Sequence, residues 1–223
     1  MTTTIGHILY WDCLFELLTV AVLGLISLKS YSIFRVTREK KYKWFSYSFA
    51  TIALAFLGRI SMNFVVYTQE IKQIVAGAVI ATFRHTSASY VAWNYGLFSY
   101  RALMLLGLIG IFLIITNSEK KKSWILMFYL VLLTAFVSMK VPYIFNLSAA
   151  VILALIFAQF YQNFLDRPKR NSWGVAMAFF FIFTSQVTFI FASFNHSMYV
   201  VGQVIQLGGY LMLLAVYIRV LRR

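Results

Sequence analysis

The sequence predicts an all-α membrane protein, a single seven-transmembrane-helix bundle with its N-terminus outside and its C-terminus in the cytoplasm. Three observations carry that expectation: apolar stretches of crossing length, aromatic residues at their boundaries, and a one-sided charge pattern. Of the 223 residues, 61% are hydrophobic and only 12% charged, with a mean hydropathy of +0.80. Soluble globular domains run near half apolar and a quarter charged, so that class is excluded. The 20 Lys and Arg against 6 Asp and Glu leave a net charge of +14. Nucleic-acid binders are basic too, but not in an apolar background that holds 22 Phe and 14 Tyr. Membrane lipids are therefore the expected surroundings, and no nucleic-acid partner is expected. The lone Cys13 excludes a disulfide framework or a cysteine metal site within one chain.

Each element follows from length. A helix rising 1.5 Å per residue crosses a bilayer core in about 20 apolar residues. Seven stretches qualify, at 9–30, 44–67, 93–116, 124–139, 143–164, 173–194 and 198–219, the fourth being the shortest. Backbone in hydrocarbon must satisfy its own hydrogen bonds, and unbroken runs of this length do so as helices. Trp11, Trp44, Trp93, Trp124 and Trp173 fall at or near the predicted starts, where indole prefers the headgroup layer. The first stretch is expected to be a span rather than a cleaved signal, because residues 1–7 lack Lys and Arg and no small-residue cleavage site follows. The longest connection, 68–92, contains IKQIVAGAVIATF (71–83), too short to span and read as a short interfacial helix at the outer mouth of the bundle.

Orientation follows from the loops. Lys29, Arg35, Arg38, Lys40, Lys41 and Lys43 flank the first connection, Lys120, Lys121 and Lys122 the third, and Arg167, Lys169 and Arg170 the fifth. Arg219, Arg222 and Arg223 close the chain, and the opposite loops hold only Lys72, Arg84 and Lys140. The positive-inside bias then places the N-terminus outside. The loops leave no room for a soluble catalytic domain, and no GxxxxGK[ST], HExxH or GxSxG motif occurs, so no enzyme, cofactor or metal is expected. The three histidines share no helix face or ligand spacing.

An internal repeat is worth testing, because many transporters are built from repeats. A shift of 130 residues aligns 16–64 with 146–194 and matches nine positions, among them Leu23/Leu153, Ile26/Ile156, Phe49/Phe179 and Ile52/Ile182. A shift of 108 pairs the LMLL of 103–106 with that of 211–214. Helices 1–2–3 and 5–6–7 would then be parallel copies separated by one helix. Gly107, Gly110, Gly208 and Gly209 are the positions expected to admit close helix contact.

The sharpest local feature is a polar layer in the outer half. Asp12 and Glu16 share a face of helix 1 at i, i+4. Arg59 on helix 2 and Arg101 on helix 3 lie at the same depth as Glu16, as do Gln186 and Gln206; Asn146 and Gln203 lie slightly shallower. A charge facing lipid costs about 3 kcal/mol even on insertion scales, so these groups are expected to turn inward and pair, Glu16 with Arg59 or Arg101. Two roles suit such a layer: a clasp between helices, or a pocket in which arginine holds an anionic ligand. The candidate ligand-binding residues are Arg59, Arg101, Glu16, Asp12, Gln186, Gln206 and Asn146.

Helix 7 has no lysine to carry retinal, and the chain has neither a D/E-R-Y at the end of helix 3 nor an NPxxY in helix 7, which excludes microbial rhodopsins and G-protein-coupled receptors. The layout of two triplets around one helix is similar to that of SWEET and PQ-loop transporters, although no Pro-Gln pair occurs. The aromatic-basic turn SLKSYSIFRVTREKKYKWFSYSFATIALAFL (27–57) and the terminal MYVVGQVIQLGGYLMLLAVYIRVLRR (198–223) resemble the membrane-embedded seven-helix input modules of prokaryotic sensor proteins, including stand-alone archaeal relatives. Modules of this kind often carry a histidine where Gln203 stands. The resemblance implies a plasma-membrane sensor of a small ligand that signals through a cytoplasmic or membrane protein partner. A small-solute transporter of parallel-repeat type and a structural subunit of a membrane complex are the alternatives.

Overall fold

The computed structural model describes the backbone of residues 2–76, 87–116, 121–166, 170–192 and 196–221, with side chains described within 13–63, 94–116, 125–166, 172–192 and 197–219. Seven helices and no strand occur among the described residues: α1 (Thr2–Thr37), α2 (Lys40–Ala76), α3 (Ser87–Ile115), α4 (Lys121–Lys140), α5 (Pro142–Asp166), α6 (Arg170–Phe191) and α7 (His196–Leu221). Six of them, all but α4, are long and apolar enough to cross a membrane, consistent with a multi-pass membrane protein. The described part of α4, Ile125–Lys140, is a shorter apolar helix. α2 runs unbroken to Ala76, so the first six residues of the expected interfacial helix at 71–83 are the end of α2. The remainder of that segment lies outside the described residues.

Two short turns fix neighbours as antiparallel pairs. Between α1 and α2, Arg38 takes a left-handed φ of 58° and donates its N–H to Phe34 O at 2.8 Å, a helix stop normally given to glycine. Between α4 and α5 only Val141 intervenes, and Pro142 starts α5 at the position where its missing N–H costs nothing.

Helix contacts form a closed ring in the order α1, α2, α3, α5, α6, α7 and back to α1. Among the described residues α4 touches α3 and α5 alone and stands outside that ring. Exchanging α1, α2 and α3 for α5, α6 and α7 leaves the pattern of ring contacts unchanged, with α3 against α5 answering to α7 against α1. Burial follows the same exchange at the 130-residue offset. Leu23 and Leu153, Ile26 and Ile156, Phe49 and Phe179, and Ile52 and Ile182 are buried, whereas Leu17 and Leu147, Leu25 and Leu155, and Tyr31 and Tyr161 are exposed.

The third pair of helices takes a register other than the one its LMLL segments suggest. A Cβ on Gly107 would meet Ile52 and stand 2.9 Å from Ser48 O; one on Gly209 would meet Ile182 Cγ1 at 2.6 Å and Ala178 O at 3.1 Å. Ile52 and Ile182 are counterparts, and so are Ser48 and Ala178, so Gly107 answers to Gly209 and the offset is 102. Close backbone approach sets this register, and a shared leucine-rich tetrapeptide does not. Gly208, expected at a contact, faces open space instead.

Candidate functional site

The polar layer gathers on the seams where the two triplets meet. Glu16 is buried on α1, and its Oε1 pairs with Arg59 Nε at 2.7 Å, one of the two pairings expected. Asn63, one turn beyond Arg59 on α2, donates its amide to Glu16 Oε2 at 3.2 Å. Arg59 Nη1 donates to Tyr100 Oη at 3.3 Å, and Nη2 donates to Tyr199 Oη. Tyr199 Oη also accepts from Gln203 Nε2 at 3.0 Å. The guanidinium lies 5.3 Å from the Tyr100 ring centre and 5.9 Å from that of Tyr199, distances at which the ring faces attract a cation. One carboxylate, one guanidinium, two amides and two phenols thus connect α1, α2, α3 and α7.

Arg101 is arranged differently. It is 9% exposed, and among the described residues no carboxylate lies within ion-pair distance of it. Its Nη1 donates to the backbone oxygen of Ser138 on α4 and to Ser138 Oγ at 3.3 Å, and the guanidinium lies 5.8 Å from the Phe145 ring centre. A half-free guanidinium in a buried position is an electrostatic demand, because desolvating a cation costs several kcal/mol and neutral acceptors offset only part of that.

Beside it opens a cavity of about 190 Å³, lined by residues of α2, α3, α5, α6 and α7. Arg59, Tyr100, Arg101, Asn146, Gln186 and Tyr199 supply its polar wall, and Phe145 and Phe189 its apolar one. Gln186 is 1% exposed, and its Oε1 has no hydrogen-bond partner among the described residues. A buried oxygen left without a donor costs about 1–3 kcal/mol. Among the described residues the cavity therefore combines a positive charge without a carboxylate partner, an acceptor without a donor, and aromatic walls. A small anion matches the charge and packs against the aromatic walls.

Of the seven candidates, four line this cavity, Arg59, Arg101, Asn146 and Gln186, and Glu16 reaches it only through its ion pair with Arg59. Gln206 is buried on α7 but is not part of the cavity wall. The Asp12 side chain lies outside the described residues. Tyr100, Phe145, Phe189 and Tyr199 were missed by sequence reasoning, which weighed charges and amides and treated aromatic residues as packing. A signal existed, since Tyr100 adjoins Arg101 and Tyr199 lies one turn from Gln203. No protein-family model, curated protein or solved structure matches the chain, so the chemistry of this cavity rests on its own residues.

Proposed function

We propose that the protein is a non-enzymatic, multi-pass protein of a prokaryotic plasma membrane, N-terminus outside, that binds a small anionic ligand in the cavity beside Arg101. The observation that carries this reading is the buried Arg101, with no carboxylate partner among the described residues, in the wall of a cavity. Arg59 contributes less free charge because Glu16 already neutralises it. An entering anion competes with the Ser138 backbone oxygen for Arg101 and so loosens the hold of α3 on α4. A cytoplasmic or membrane partner would read that displacement, which is the sensor behaviour implied by the input-module resemblance.

A second reading, transport of the same anion, is favoured by one specific observation. The ring contacts are invariant when the two triplets are exchanged, and the cavity is lined from both triplets. Carriers built from repeats hold substrate at such a junction and rock one unit against the other. The test is direct. In zwitterionic nanodiscs, small carboxylates are expected to bind saturably, and Arg101→Gln to weaken them about tenfold or more, the worth of a charge-assisted hydrogen bond. Unaltered affinity in that variant would overturn the reading. Counterflow of the bound anion in liposomes would select the carrier, and its absence alongside binding the sensor.

A further inference from the structure

A second cavity, about 300 Å³, lies between α3, α4 and α5. Its wall is apolar except for Thr134 and Ser148, and it includes Leu105, Ile109, Val131 and Val151. Leu105 stands one helical turn from Arg101 on α3, and Thr134 one turn from Ser138 on α4, about 6 Å along each axis. Arg101 and Ser138, in contact with each other, therefore stand one turn beyond the end of this groove, and Arg101 also lines the polar cavity. The groove runs alongside α4, which among the described residues touches only α3 and α5 and exposes Leu126, Leu133 and Phe136 to the surroundings. From Thr134 to Met127 on α4 the groove extends roughly 10 Å.

We infer that the anion is the carboxylate head of a single-chain amphiphile, a fatty carboxylate whose head is held by Arg101 in the polar cavity and whose chain lies in the α3–α4–α5 groove. Charge complementarity fixes the occupant. A neutral hydrocarbon would fill the groove and leave Arg101 unmatched, whereas a short acid would meet Arg101 and leave the groove unfilled. A two-chain phospholipid has one chain more than the groove accepts. The inference rests on the anion-binding reading above and names the class of ligand for that site.

The test uses the full chain in nanodiscs of zwitterionic lipid, with hexanoate and decanoate as probes. Decanoate is expected to bind about tenfold or more tightly than hexanoate, because its four additional methylenes leave water for the groove. Arg101→Gln is expected to weaken both acids. Val151→Trp, at a half-exposed position of the groove wall, is expected to collapse the difference between them, with Ser148→Phe as a second obstruction. Comparing each variant with the parent protein in the same discs cancels partition of decanoate into lipid, and circular dichroism establishes that each variant keeps its helix content. Equal affinities in the parent protein, both lowered by Arg101→Gln, would overturn the groove assignment and leave the anion site standing. A chain-length gain that survives both obstructions would also overturn it. Absence of saturable binding by either acid would remove the inference together with the reading beneath it, and phosphatidylglycerol that excludes decanoate would replace the single chain with a two-chain lipid.

Discussion

The triplets α1–α2–α3 and α5–α6–α7 bury matching positions, yet only the first brings charge to the layer where they meet. At the level where the first carries Glu16, Arg59 and Arg101, the second carries Asn146, Phe189 and Gln203. Along the packing faces the two agree closely, down to the isoleucine that each places under a glycine of the next helix. Positions of close approach tolerate little change in volume, because a filled interior has no slack. Positions facing the seam border a cavity and are free to differ. Geometry is thus common to both halves, while the chemistry belongs to one of them.

The largest effect is expected from making the halves alike. Glu16→Asn, which imports the residue found at position 146, leaves Arg59 without its carboxylate and should cost about 3 kcal/mol, read as denaturant unfolding in mixed micelles. Adding Arg59→Phe, the residue at position 189, removes the stranded cation and should recover most of that loss. A double variant no better than the single one would show that the seam does not tolerate the exchange. A smaller effect tests the common geometry. Gly107→Val and Gly209→Val should each cost about 1–3 kcal/mol by forcing the helices apart. Gly208→Val, on the open side of α7, should stay within about 0.5 kcal/mol. Equal penalties at Gly208 and Gly209 would refute the 102-residue register.

The smallest effect separates the two seams. On the α1–α7 side the hydroxyls of Ser30 and Tyr217 are 2.5 Å apart, whereas the corresponding positions on the α5–α3 side are Phe160 and Ile115, which are apolar. Tyr217→Phe should cost about 1 kcal/mol in thermal unfolding, the ordinary net worth of a hydrogen bond. No loss would mean that the two seams close by apolar contact alike.

The helix count and approximate boundaries were legible because both depend on local composition. The Glu16–Arg59 pair was legible as opposite charges at equal depth. The partner of Arg101 was not, since Ser138 supplies a backbone oxygen, which every residue has, and the position of α4 outside the ring is a tertiary fact. The register of α3 against α7 was misread for a related reason. Leucine identity in an apolar chain reflects the solvent, whereas glycine under isoleucine reflects contact, and only the second fixes which residues face one another. The cavity's aromatic wall escaped notice because a buried tyrosine and a lipid-facing one look alike in sequence.

The place of α4 outside the ring has a consequence of parity. A unit of three helices starts on one face and finishes on the other, so a second unit joined directly to it would enter upside down. One additional reversal of the chain restores the original direction. In the proposed seven-span arrangement α4 supplies that reversal, and with it the two triplets would meet as parallel copies rather than as mirror-facing inverted ones. Its sequence is accordingly answerable mainly for length and apolarity, apart from the single turn at Ser138, where the returning strand of chain also closes the fingers of Arg101.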